Sequence, residues 1–157
     1  MKNSKVHLSG EVIEIDYEKR DVKIKPINDS IITVHMWTTL SDDTGFWRSE
    51  DEWRDYVEVG SYITLNGYLG NNGRIITNPG NVWVNDQLLS HNTVEVTGIL
   101  RDDAVIETST PGRRRVLFKT DNNGLENCGV NNSVSALGVL IADTLAITFA
   151  AENRNGR

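Results

Sequence analysis

The chain states one pattern twice. Val6-His7-Leu8-Ser9-Gly10-Glu11-Val12 alternates apolar with polar residues around an early glycine, and Val94-Glu95-Val96-Thr97-Gly98-Ile99-Leu100 repeats both the alternation and the glycine position. A second pair follows in the same order. Val59-Gly60-Ser61-Tyr62-Ile63-Thr64-Leu65-Asn66-Gly67-Tyr68-Leu69 is echoed, shifted by one in places, by Val130-Asn131-Asn132-Ser133-Val134-Ser135-Ala136-Leu137-Gly138-Val139-Leu140. Two anchors repeated in order point to an internal duplication. The 157 residues are therefore expected to form two small cores, in units spanning 1–88 and 92–153. Gln87-Leu88-Leu89-Ser90-His91 marks the boundary and is too short for a flexible tether.

Strand signals dominate both units, because short β-branched runs are punctuated by Gly, Asn, Asp or Pro at roughly 8–12 residue spacing, the rhythm of a sandwich or barrel. In the first unit residues 6–15 alternate, with Gly10 placed for a bulge or bend. Residues 21–27 put Val22 and Ile24 on the core face and Lys23 and Lys25 on the other; residues 31–37 bury Ile32, Val34 and Met36 and turn Thr33, His35 and Trp37 outward. Ser49-Glu50-Asp51-Glu52 is a capping box that predicts a helix from Ser49, with Trp53, Tyr56 and Val57 on one face and Val59-Gly60 at its end. Residues 61–69 form a fourth strand, and 74–77 with 81–84 a fifth, interrupted by Pro79-Gly80. Three strands, a helix and two strands is the order of the OB barrel. Little separates Thr120 from Val130, so the third strand and helix of the second copy are expected to be reduced or missing. The expected fold class is all-β: tandem OB-fold-like five-stranded barrels, the second shortened, with one short helix in the first.

Composition limits the function classes. Apolar residues make up 38% and charged residues 24%, close to the globular average. No apolar run approaches the roughly 18 residues of a membrane span, and Met1-Lys2-Asn3-Ser4-Lys5 lacks a secretory signal, so the expected location is cytoplasmic with no membrane partner. The single Cys128 excludes a disulfide framework and a cysteine-rich zinc site. His7, His35 and His91 show no metal-ligand spacing, and Gly-x-Ser-x-Gly and phosphate-cradling glycine loops are absent, so neither an enzyme nor a cofactor or metal is expected. The net charge of −6 and pI of about 5.0 oppose binding of nucleic acid by global charge. The cations do segregate, however: Lys19, Arg20, Lys23 and Lys25 fall in one hairpin, and Arg113, Arg114, Arg115 and Lys119 in another.

Residues 56–69, with a Gly60-Ser61 step into an alternating run that ends Gly67-Tyr68-Leu69, resemble the helix exit and fourth strand of the single-stranded-DNA-binding protein family of bacteria and phages. Residues 94–100, the Arg101-Asp102-Asp103 turn and Thr110-Pro111-Gly112 resemble that family's opening strand, its Arg-Asp turn and a later Pro-Gly hairpin. A relative of the primosomal replication proteins is a further comparison. The end, Asn153-Arg154-Asn155-Gly156-Arg157, differs from the linker and acidic tail of many bacterial members and suggests a phage or mobile-element version. The resemblance implies largely sequence-independent binding of single-stranded DNA, in replication, recombination or mobile-element transfer, with RNA as a second candidate. An incomplete second copy with open strand edges suggests a homo-oligomer, a dimer first.

An OB barrel presents the outside of its second and third strands to oligonucleotides or oligosaccharides. Here that face would carry Lys23, Lys25, His35 and Trp37, flanked by Tyr17, Lys19 and Arg20 in one loop and Asn72 and Arg74 in another, with Phe46 and Trp47 beside it. Cations follow phosphates while aromatic planes stack on unpaired bases at about 1–3 kcal/mol each. From the second copy, the Arg113–Arg115 run could clamp a phosphate, and Arg113, Arg115 and Lys119 are taken as site residues. Each residue has a plainer reading: lysines on a solvated strand face, Trp37 under the helix or at a subunit contact, an arginine hairpin in water. Trp53 is expected as a core plug, Trp83 in the core or an interface, and Tyr62 and Tyr68 outward, supporting packing. The rival function is an OB module that binds another protein, without nucleic acid; a barrel for oligosaccharides is a second rival.

Overall fold

The computed structural model describes residues 2–37 and 52–153, except the Glu52 side chain. The described elements are β1 (Asn3–Asp16), β2 (Asp21–Lys25), β3 (Ile32–Met36), β4 (Tyr62–Leu69), β5 (Ile75–Thr77), β6 (Val82–Asn85), β7 (Asn92–Arg101), β8 (Val105–Ser109), β9 (Arg115–Lys119), β10 (Ser133–Ile141) and β11 (Thr144–Glu152), with short 3-10 turns between some of them. The chain is all-β, and no described helix is long and apolar enough to cross a membrane.

Alternation in the sequence becomes two-faced strands. Val22, Ile24, Ile32, Val34, Met36, Ile63 and Leu65 are buried, and their sequence neighbours on β2 and β3 are half-exposed. β1 pairs with β2 and with β4, β2 with β3, β3 in parallel with β5, and β5 with β4, which returns to β1 and closes the first barrel. One long β1 serves both neighbours by bending: its pairing with β2 slips between Val12 and Glu14, just after Gly10, where a Cβ would lie 3.2 Å from Ile24 and the Lys25 backbone. β6 continues the interrupted fifth strand along β4. Trp53, fully buried on the 3-10 turn Glu52–Asp55, and Val57 just after that turn fill the core. The predicted helix start at Ser49 lies outside the described residues; what is described is this single tight turn, and Tyr56 is exposed rather than sharing the Trp53 face.

The second copy is more complete than the sequence suggested. β7 pairs with β8 and β10, β8 with β9, and β10 with β11, while a parallel bridge between Thr120 and Leu145 brings the end of β9 to β11. That bridge stands where Val34 meets Ile75 in the first barrel, so the circuit is the same. The third strand is present as β9. Its inward Val116 and Phe118 were masked in the sequence by the adjoining arginines. The copy is shortened in its plug, for turns over 121–132 carry buried Leu125 in place of the segment bearing Trp53.

The barrels join through their first strands. β1 and β7 pair antiparallel with Val6 opposite Val94, the two residues the internal repeat equates, so the pair marks a pseudo-two-fold axis. Val6 also faces Gly67 on β4, and Val94 faces Gly138 on β10. The Asn28 side chain in the β2–β3 loop donates to the Leu140 carbonyl (3.0 Å). The Asn71 side chain, between β4 and β5, donates to the Arg115 carbonyl (3.0 Å) and accepts from the Leu117 N–H (3.2 Å), covering the edge of β9. Lys2, beside β1, bonds Glu107 on β8 at 2.9 Å, and Arg101 and Arg115 each bond the same carboxylate at 3.1 Å. Glu107 is buried, and these partners, the Lys2 hydrogen bond first, outweigh burial and lower its pKa to about 2.

Two stability predictions follow from these contacts. A Cβ on Gly67 or Gly138 would lie 2.3 Å from the carbonyl oxygen of Ile76 or Ala146, respectively, whereas one on Gly112 meets only the Thr110 hydroxyl at 3.9 Å. Gly67→Ala and Gly138→Ala should each cost about 2 kcal/mol or more in denaturant unfolding, with Gly112→Ala near neutral. Because the folded pKa of Glu107 lies below its ordinary 4.5, its contribution is full above that value and fades as pH falls toward about 2. Glu107→Gln should therefore destabilise by about 2 kcal/mol at neutral pH, and the gap from wild type should narrow through that acid range. A pH-independent gap would remove the ionised carboxylate from the account.

Candidate nucleic-acid interface

On the outside of the first barrel, cross-strand register decides which charges meet. Asp21 faces His35 across β2 and β3, and its carboxylate lies 2.8 Å from His35 Nδ1 and 3.6 Å from Arg74 Nη1. Lys23 faces Glu14 across the β1 slip, with Nζ 3.4 Å from the carboxylate. Lys25 Nζ lies 3.8 Å from Asp29. The structure thus brings Lys23, Lys25, His35 and Arg74 onto one barrel wall, each with an acidic neighbour that the sequence reading had not paired to it. Glu14 and Asp29 are exposed, and such pairs contribute little and exchange readily.

Trp37 stands just beyond β3, where its N–H donates to the Thr77 carbonyl (2.7 Å) and extends the parallel pairing with β5. Its side chain is substantially exposed, at 45%. It lines an open groove of about 570 Å³ with Asn66 and Tyr68 of β4, Ile76 of β5, and Thr110, Pro111 and Arg114 from the turn between β8 and β9. Burial raises the Tyr68 pKa above its ordinary value, and the nearby Arg114 guanidinium opposes that rise. Tyr68 was expected only to support packing, and Arg114 was read with Arg113 and Arg115 as one arginine hairpin, not as a neighbour of Trp37. No local signal joins them, because the groove forms from residues far apart in sequence.

The other expected site residues disperse. Tyr17 stacks on Trp53, ring centres 6.1 Å apart and planes 17° apart, with the Arg54 guanidinium 5.0 Å from the Tyr17 ring; it roofs the plug of the barrel. Lys19 is exposed, its N–H bonded to Asp16 (3.0 Å). Arg20 turns the hairpin at φ 59°, and its carbonyl accepts from the Met36 N–H. Trp47 and Phe46 lie outside the described residues. In the second barrel Arg115 is held by Glu107, and Lys119 Nζ lies 3.4 Å from Asp143. Arg113 sits in the hairpin turn at φ 64°. The equivalent wall of that barrel is organised around an acid: Glu107 faces Ile99 as Lys25 faces Glu11. Trp83 is 47% exposed on β6, so it is not a core residue.

No family model matches the chain, and no curated protein matches its sequence. Among solved structures, the wild-type single-stranded DNA binding protein from Thermus aquaticus is similar, with a TM-score of 0.66 and 12% sequence identity, over 99% of this chain and 95% of that one. A deletion mutant of the same Thermus aquaticus protein gives a TM-score of 0.65 at 12% identity, over 97% and 95%. The likeness runs through both barrels, and the chain therefore has the OB fold seen in the single-stranded DNA binding protein of Thermus aquaticus.

Proposed function

We propose that this chain binds single-stranded DNA, largely without regard to sequence, through the outer wall of its first barrel. The observation that carries the reading is Trp37, an exposed indole at the end of a central strand, on the same wall as Lys23, Lys25, His35 and Arg74. An unpaired base stacks on such a ring, and phosphates replace exposed carboxylates as partners of the flanking cations. The solved structures that share this fold carry the name of that activity, which supports the same reading. A passive binder of this kind serves replication, recombination or mobile-element transfer by holding strands open without bond chemistry. Units 1–88 and 92–153 belong to the proposal, the first carrying most of the contact. So does self-association as a dimer, which exposed Leu137 and Phe149 on β10 and β11 support.

Oligo(dT) should quench tryptophan fluorescence, and the quench should weaken steeply with salt. Trp37→Ala should lower affinity several-fold and remove much of the quench, leaving thermal unfolding near wild type. A Trp37→Ala titration indistinguishable from wild type would remove this ring from the site.

A further inference from the structure

Arg113 and Arg114 differ from seven other described cations of this acidic chain. Lys2, Lys23, Lys25, Arg74, Arg101, Arg115 and Lys119 each have a carboxylate partner, whereas among the described residues none pairs with Arg113 or Arg114. Their turn is built on backbone bonds: the Thr110 N–H donates to the Arg114 carbonyl (2.9 Å), the Arg113 N–H to the Thr110 carbonyl (2.8 Å) and the Arg114 N–H to the Thr110 hydroxyl (3.0 Å). The pairing of β8 with β9 runs out to Ser109 opposite Arg115, past the point where β2 and β3 stop pairing in the first copy at Ile24 and Ile32. The longer hairpin brings a cation on a hydrogen-bonded turn to the groove that holds Trp37 and Tyr68.

Resting on the single-strand reading, we infer that this groove between the barrels is a nucleotide seat: a base lies against Trp37 and Tyr68, and the adjoining phosphate is taken by Arg114, with Arg113 beside it. The site is composite: among the described residues that line it, the aromatic rings come from the first barrel and the cation from the second. Its size suits a nucleotide-sized ligand, since pockets for small ligands span about 300–1,000 Å³. Asn66, Asn78 and Asn81 line it too and provide neutral hydrogen-bonding groups beside the rings. The occupant must be apolar and planar on one side and anionic on the other, which an unpaired nucleotide is and a duplex, with its bases stacked inside, is not. The pseudo-two-fold counterpart carries no such chemistry: Val34 and Ile75 correspond to Thr120 and Leu145, which sets Asn123 opposite Trp37, and the Gly67 to Gly138 match sets Val139 opposite Tyr68. Among the described residues, the seat occurs once.

The test uses the full chain, an oligo(dT) containing photoreactive 4-thiothymidine, and the double variant Arg113→Ala/Arg114→Ala. Both arginines are exposed, so the variant should melt as wild type does. Wild type should cross-link through the peptides bearing Trp37 or Tyr68. The variant should lose about tenfold or more in affinity, show a log affinity against log salt slope shallower by about 0.7 per lost phosphate contact, and lose that cross-link. Wild-type binding with an unaltered variant, or cross-links confined to other surfaces, overturns the seat and leaves single-strand binding standing. Failure of the wild type to bind oligo(dT) overturns both.

Discussion

The antiparallel pairing of β1 with β7 is the contact on which the rest of this molecule depends. Each barrel gives the seam its own first strand, and Val6 and Val94 meet at its centre. The seam runs β11, β10, β7, β1, β4 and β6 into one antiparallel sheet, and the buried side chains of the two barrels form one contiguous cluster. Small barrels gain from this, because a short chain buries too little surface to be robust alone. The same approximate symmetry sends the β2–β3 loop toward β10 and the β8–β9 turn toward β4, and the inter-barrel groove is a product of that exchange.

Electrostatics then separates the two copies. The net charge is −6, and the walls of both barrels are laced with ion pairs. In the first copy the acids Glu14 and Asp29 are exposed and hold their lysines loosely; in the second, buried Glu107 gathers Lys2, Arg101 and Arg115. A buried carboxylate does not release its partners cheaply. The Glu107 cluster therefore ties the second barrel to the N-terminus of the first, while on the wall of the first Lys23 and Lys25 have only exposed partners.

Much of the architecture was legible in the residues. Val22, Ile24, Ile32, Val34 and Met36 alternate so regularly that their burial follows from a period of two, and Trp53 with Val57 declared a plug although the described turn around them is 3-10 and not α-helical. β9 was hidden because its apolar residues, Val116 and Phe118, follow three arginines and lack a long alternating run. Leu125 carried no periodic signal at all. Trp83 misled by its size: a large indole suggests burial, but it faces outward on a strand that merely extends the edge of β4. The candidate site was legible only where one strand supplied it. His35 and Trp37 follow from the β3 pattern, whereas the Asp21 contact with Arg74 and the meeting of Trp37, Tyr68 and Arg114 are set by tertiary register.

The central claim is that this fold holds unpaired strands. Gel-shift titrations of the whole chain with a labelled single strand and with its duplex, repeated at several salt concentrations, test it most directly. The account predicts a retarded single strand whose affinity falls log-linearly with salt, and a duplex bound far more weakly at each salt. Equal affinity for both forms, or no shift of the single strand at low salt, would contradict it.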